Sequence, residues 1–327
     1  MLKHRKLLIL AILLVAAAAI AFVLYQRGTR LPEAARLLPE GDLVLYADLK
    51  PVHLFDLGKS NSVQPEDEYK DFVDQTGIQF ERDLNEVSMS RHDTPDGRDS
   101  ESSEIFVGRF DQNRLKIYLQ KLASETETYR NFTIYSIAHD GHLVRATLLG
   151  AGRVAVTNMA SPEPMHGIID RTYTNAAGPS LVTDHYRDVP LGSLGWLISR
   201  ISSKPNNVPL PGGFGLTLPG DTVAVASLRY TGLSLLLRAD VFAQSEAQAK
   251  QIVDSANTHL ALVRGIGQVI KTRGPDQDVK AVFDSIQVEQ KENVAVFTAT
   301  IPQSVVKKIW SEAKSEGAVP TPPARKP

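Results

Sequence analysis

One uninterrupted apolar segment constrains this chain more than any other feature. It begins at Leu7, ends at Tyr25 and contains no charged residue. As a helix rising about 1.5 Å per residue it would extend about 28 Å, close to the ~30 Å hydrocarbon core of a bilayer. Lys3, Arg5 and Lys6 precede it, and a short basic tail stays on the cytoplasmic side. The sequence therefore predicts a transmembrane signal-anchor helix, with the bulk of the chain outside the cytoplasm.

A cleavable signal peptide is the alternative interpretation of the same segment. Small residues at Ala19 and Ala21 fit the A-x-A type of cleavage site. The apolar core of such a peptide usually covers about 7 to 15 residues, whereas here it continues through Tyr25. The length favours a retained anchor, with the bulk of the chain outside the cytoplasm. Cleavage would leave a secreted or periplasmic protein.

Composition restricts the function of the ectodomain. Hydrophobic residues make up 43% and charged residues 22% of the chain, as in ordinary folded proteins. Beyond residue 25 there are 33 basic and 37 acidic residues, a net charge of −4 that argues against nucleic-acid binding. The chain has no cysteine, which excludes thiol catalysis, cysteine-ligated metals and disulfide bonds.

An internal match indicates that the ectodomain repeats itself. Residues 41–49, GDLVLYADL, and residues 220–228, GDTVAVASL, share the pattern G-D-x-V-x-x-A-x-L. Both segments are typical of half-buried strands. The prediction is an α+β protein in which the N-terminal transmembrane helix precedes two related modules, each an antiparallel-rich sheet with packed helices.

The domain boundaries follow from these features and from proline- and glycine-rich stretches. The predicted parts are a cytoplasmic tail at residues 1–6, the anchor at 7–25, a linker at 26–36, a first α+β module at 37–173, a linker and connecting helix at 174–217, a second α+β module at 218–314 and a disordered proline-rich tail at 315–327.

Several local signals are specific. Asp140-Gly141 predicts a tight hairpin turn. Asp111 is a good N-cap for a helix at residues 112–123, and Ser245 with Gln248 forms a capping box. Residues 190–201 carry leucine and isoleucine at helical spacing and are predicted as the connecting helix.

No segment carries a convincing catalytic, cofactor or metal motif. His139 and His142 flank the Asp-Gly turn without a third ligand nearby, so a plain hairpin is favoured over a metal site. The acidic stretch at residues 92–104 lacks the ligand order of a calcium loop. Gly150 and Gly152 precede a predicted strand, whereas the glycine-rich turn of a dinucleotide site leads into a helix.

The order of these segments resembles a group of single-pass, membrane-anchored bacterial envelope proteins of unknown function, typical of acidobacteria-like genomes. The segments that carry the resemblance are LPEGDLVLYADL, YKDFVDQTGIQFERDLNEVSMS, IFVGRFDQNRLKIYL and LPGDTVAVASLRY. The resemblance implies a bacterial origin and an envelope location, here an inner-membrane anchor with a periplasmic ectodomain, and it supplies no catalytic residues to carry over.

The resulting hypothesis is a non-catalytic envelope protein that binds or scaffolds another protein or a lipid-like ligand and contacts the bilayer through residues 7–25. A hydrolase whose active site assembles from distant residues is the alternative. A broad apolar groove would favour binding, and a deep pocket with converging ionisable groups would favour hydrolysis.

Overall fold

The structure is a computed structural model that describes residues 30–51, 67–92, 101–139, 141–174, 177–201, 206–210, 214–232, 234–269 and 277–305. The predicted anchor at residues 7–25, most of the acidic stretch at 92–104 and the proline-rich tail lie outside these ranges.

The described residues form a mixed α+β fold dominated by one antiparallel sheet. Its strands are β1 (Leu43–Asp48), β2 (Leu84–His92), β3 (Glu101–Gly108), β4 (Glu125–Tyr129), β5 (Phe132–His139), β6 (His142–Leu148), β7 (Arg153–Thr157), β8 (Ser193–Ile201), β11 (Thr222–Tyr230), β12 (Ser234–Phe242), β13 (Gln287–Lys291) and β14 (Val294–Pro302). They lie in the order β13-β14-β12-β11-β8-β1-β2-β3-β7-β6-β5-β4. Strands β9 (Asn206–Leu210) and β10 (Phe214–Leu218) form a separate hairpin.

The described helices pack on both faces of the sheet. They are α1 (Glu33–Leu37), α2 (Asp67–Thr76), α3 (Phe80–Asp83), α4 (Gln112–Leu122), α5 (Glu163–Tyr173), α6 (Ser180–His185), α7 (Glu246–Val269) and α8 (Gln277–Ser285), with a 3₁₀ turn at Tyr186–Asp188.

One face of the sheet, named here the buried face, holds the largest core. Because successive strand residues point to opposite faces, Val44 and Tyr46 of β1 share this face with Trp196 and Ile198 of β8. Helices α1, α5 and α6 cover it, and their apolar side chains complete the cluster. Met165, Ile168 and Ile169 of α5 are fully buried there, in agreement with their helical spacing in the sequence.

The opposite face, named the open face, is covered by the described helices towards its two ends. At one end α4 packs on β5, β6 and β7, and at the other α7 packs on β12, β13 and β14. The order outward from the centre is similar in both directions: β1, β2 and β3 precede α4, and β8, β11 and β12 precede α7.

Strand β8 corrects the prediction of a connecting helix within the linker at 174–217. Ser193–Ile201 is a strand between β1 and β11, so the sheet passes without interruption through the predicted linker. A central strand with apolar contacts on both faces lacks strict alternation. The apolar residues at Leu194, Leu197, Ile198 and Ile201 therefore fit helical spacing equally well.

Helix α1 corrects the prediction of a linker at residues 26–36. Ala34, Ala35 and Leu37 have no exposed surface, because α1 packs on β1, β2 and β3 and against α5. Arg153 and Glu33 form an ion pair at its N-terminus. The chain thus enters the core within four residues of Arg30.

Two serine hydroxyls on β2, the strand under α1, are buried without a hydrogen-bond partner: Ser88 Oγ and Ser90 Oγ. We expect Ser88→Ala to raise the free energy of unfolding by about 1 kcal/mol, since a buried hydroxyl without a partner is unfavourable. The matched change Ser103→Ala removes a hydroxyl that donates to Thr157 Oγ1 at 2.9 Å and should lower stability by about 1 kcal/mol. Urea unfolding of the two variants measures both effects, and a loss of stability in Ser88→Ala would contradict the expectation.

Candidate binding surface

The middle of the open face is an apolar strip five strands wide, named here the central trough. Strand registers place its side chains in two rows that cross β2, β1, β8, β11 and β12. The first row is Met89, Leu45, Leu197, Ala226 and Ala239, and the second is Val87, Ala47, Gly195, Leu228 and Leu237. At about 4.8 Å between strands, each row spans about 19 Å.

The trough side chains remain partly accessible. Leu237 is 40% exposed, and the other nine residues are half-buried. Alanine and glycine occupy four of the ten positions, so the floor is shallow in the middle. At Gly195 an added Cβ would lie 3.2 Å from the carbonyl oxygen of Tyr46, which shows how closely the two central strands approach.

Two aromatic residues mark where helices begin to cover the open face. Phe106 of β3 lies opposite Val87 and packs in the cluster under α4. Phe297 of β14 lies opposite Ala239 and packs in the cluster under α7. Within the described part of the chain, the helices in extensive contact with β1, β2 and β8 are α1 and α6, and both lie on the buried face.

One corner of the trough is polar. Glu104 of β3 lies opposite Met89, at the end of the first row, and Arg91 of β2 follows Met89 on the same face. Burial raises the pKa of the Glu104 carboxyl above its ordinary value. A raised pKa favours the neutral carboxyl group, which can donate a hydrogen bond as well as accept one. The trough therefore combines an apolar floor with one polar corner.

On the buried face, Tyr46, Glu86 and Lys50 form the most connected ionisable group. Lys50 Nζ pairs with Glu86 Oε1, and the ring of Tyr46 stacks on Trp196 with centroids 5.6 Å apart. Burial, with the nearby Glu86 and Asp48 carboxylates, raises the pKa of Tyr46 well above its ordinary value. A phenol in this state stays neutral and cannot serve as a base, so the group has the properties of a structural contact.

His166 and His185 are each hydrogen-bonded to a carboxylate. His166 Nε2 lies 2.8 Å from Glu127 Oε1, with its ring stacked on Tyr129, and His185 Nδ1 lies 3.4 Å from Asp188 Oδ2. Neither ring is hydrogen-bonded to a serine among the described residues, so neither pair has the arrangement of a nucleophile and its base.

His139 and His142 lie opposite each other across the β5–β6 hairpin and are exposed. No group of three or more potential metal ligands occurs in the described parts of the chain. The predicted hairpin is confirmed, with Gly141 at φ +80°.

The sequence predicted the strands at both sides of the trough but not the trough itself. Its floor depends on β8, which was predicted as a helix, and on the pairing of β1 with a strand about 150 residues later. A continuous apolar stretch of strand length, with Gly195 inside it, is the signal that favours a strand at this position.

Among the described residues, no helix combines the length and apolar character required to cross a bilayer.

No known protein family matches the sequence. No curated protein matches it either. Solved structures of TP0453 are similar at 13% sequence identity: crystal form IV has a TM-score of 0.46 over 86% of this chain and 96% of that chain. Crystal form III gives a TM-score of 0.46 over 86% and 99%, and crystal form I gives 0.45 over 87% and 98%. At this level the likeness concerns the fold alone.

Proposed function

We propose that the protein is a single-pass inner-membrane protein whose periplasmic ectodomain binds a partner in the central trough without catalysing a reaction. The observation that carries the proposal is the trough: ten apolar side chains in two rows, partly accessible, between two groups of helices. Contiguous apolar surface of this kind is unusual on a soluble face unless a ligand or protein covers it.

The anchor part of the proposal is supported by the sequence of residues 7–25 and the basic residues before it. A reporter that is active only in the periplasm, fused after Pro327, should give a signal in a bacterial host. Signal from a reporter active only in the cytoplasm would contradict this orientation. Soluble protein lacking residues 1–25 in the periplasm would instead support signal-peptide cleavage.

An amphipathic helix of another envelope protein is the proposed occupant. The two ends of the open face are already covered by α4 and α7, which pack through apolar side chains on strands of the same sheet. A helix is about 10 Å wide with its side chains, so the ~19 Å strip accommodates one helix between them. Small residues on the floor allow close approach of such a helix. A single lipid chain would leave much of the strip in contact with water.

Leu237 offers the best test of this surface, because it is the most exposed trough residue. A photo-crosslinking amino acid at position 237, in intact membranes, should capture a protein segment with apolar residues at spacings of three and four. The matched control is position 262, where Leu262 on α7 is 52% exposed. A synthetic peptide of the captured segment should then bind the full-length protein.

The Leu237→Lys variant should weaken binding of that peptide about thirtyfold, since losing the burial of one leucine costs about 2 kcal/mol. Leu262→Lys should leave the affinity unchanged. If the crosslinked adducts at position 237 have the mass of a lipid, the occupant of the trough is a lipid-like ligand and not a helix. Equal capture of the same segment from positions 237 and 262 would contradict the trough as the binding surface.

We also propose that the two halves of the sheet are related modules. The order strand, strand, strand, helix occurs as β1-β2-β3-α4 and as β8-β11-β12-α7, in opposite directions from the centre. The G-D-x-V-x-x-A-x-L match instead relates β1 to β11, the two neighbours of β8. The relation is tested by two superpositions, one that places β1 on β8 and one that places β1 on β11. Unrelated chain paths after these strands in both superpositions would contradict it.

A further inference from the structure

The path of the chain out of the proposed anchor determines which part of the ectodomain lies against the membrane. Four residues lie between Tyr25 and Arg30, the first described residue, and a fully extended chain covers at most about 18 Å over the steps that join them. Beyond Arg30 the chain is fixed, because Ala34, Ala35 and Leu37 are buried in the main core. The surface around Arg30 is therefore held within about 18 Å of the bilayer.

Tyr186, at the start of the segment 186–192, is in direct contact with this position. The Tyr186 hydroxyl donates to the carbonyl oxygen of Arg30 at 3.3 Å. The ring of Tyr186 also packs edge-on against Trp196, with centroids 5.6 Å apart, and Val189 is buried. The segment is thereby fixed to the core beside the point where the chain arrives from the anchor.

The segment ends in a tight turn that exposes a leucine. Ser193 N and Ser193 Oγ both donate to the Pro190 carbonyl oxygen, at 3.3 and 2.6 Å. Gly192 adopts φ +78°, and Leu191 at the tip is 48% exposed. Arg187, on the preceding 3₁₀ turn, is also exposed. An exposed apolar side chain with an exposed cation four positions before it in the chain suits a lipid interface, where apolar groups enter the acyl boundary and basic groups approach phosphates.

We propose that the turn at Leu191, together with Arg187 of the preceding 3₁₀ turn, rests on the periplasmic surface of the bilayer that holds the anchor. This inference rests on the membrane anchor of the proposed function and adds an orientation to it. The end of the sheet where β8 begins faces the membrane, together with the 150–152 turn, since Arg153 next to that turn pairs with Glu33. The opposite end, with the β5–β6 hairpin, points away from the bilayer.

The absence of cysteine allows a direct test in the full-length protein. Leu191→Cys, labelled with an environment-sensitive fluorophore, is reconstituted into vesicles of phosphatidylethanolamine and phosphatidylglycerol that contain spin-labelled lipid. Leu143→Cys is the matched control, because Leu143 is 37% exposed beside the hairpin at the opposite end. We expect blue-shifted emission and several-fold stronger quenching at position 191 than at position 143.

Charge reversal provides a second measurement. Arg187→Glu should reduce the quenching at position 191 at low salt. Arg200 is also exposed and lies at the other end of β8, so Arg200→Glu should leave the quenching at position 191 unchanged. Equal quenching at positions 191 and 143, in protein that floats with the vesicles, would overturn the orientation and leave the anchor intact. Protein that does not float with the vesicles would overturn the anchor and the orientation together.

Discussion

Replacing Gly152 by alanine is expected to lower the free energy of unfolding by about 3 kcal/mol, one of the largest effects in this protein. Gly152 has φ +71° in the turn between β6 and β7. A Cβ there would lie 2.3 Å from the carbonyl oxygen of Gly108. The same two residues are joined by a hydrogen bond of 2.8 Å from Gly108 N to the Gly152 oxygen. The backbones would have to separate, and the end of the β3–β7 ladder would be lost.

Gly141 is the matched control for the backbone conformation. It has φ +80° in the β5–β6 turn, and an added Cβ would meet no atom within 4 Å. Gly141→Ala should therefore cost only the left-handed conformation, about 1 to 2 kcal/mol. Urea unfolding of the two variants separates the steric clash from the conformational cost. Equal losses of stability in the two variants would show that the contact with the Gly108 oxygen adds no cost to that of the left-handed conformation.

Local signals in the sequence predicted local structure well. Asp111 caps α4 as expected: its Oδ1 accepts from Asn113 N at 3.0 Å and from Arg114 N at 3.1 Å. The Ser245 hydroxyl oxygen accepts a hydrogen bond from Gln248 N at 3.2 Å, and Gln248 Oε1 accepts one from Gln244 N. Each of these signals depends on residues within four positions of each other, so its physics is contained in the segment itself.

The errors occurred where a distant contact decides the outcome. Residues 193–201 satisfy both helical and strand patterns, and the choice is made by hydrogen bonds to β1 and β11. Similarly, the short segment between Pro32 and Pro39 resembles a linker in the sequence. It forms α1 because the sheet provides a surface on which the helix packs. The central trough is of the same kind, because its rows join residues from five strands. A single sequence contains no local signal for such a surface.

The second large effect is expected at Arg145, a cation whose residue is only 8% exposed. Its Nη1 donates to the carbonyl oxygens of Met159 and Ser161 at 2.7 and 3.3 Å, and its Nη2 donates to that of Ala160 at 3.2 Å. One guanidinium thus holds three successive carbonyl groups of the loop that leads from β7 into α5. Hydrogen bonds from charged donors contribute about 1.5 to 3 kcal/mol each, although they are not additive.

Arg145→Met should therefore destabilise the protein by about 3 kcal/mol, since it leaves three carbonyl groups without their donor. Arg145→Lys keeps the charge but not the fork geometry, and should lose a smaller part of that stability. The control is Arg200→Met, an exposed arginine for which we expect a change within about 0.5 kcal/mol. Urea unfolding measures all three. Because α5 packs against α1 in the main core, a loosened loop should weaken that core first. Equal stability of Arg145→Met and Arg200→Met would contradict this role of the guanidinium.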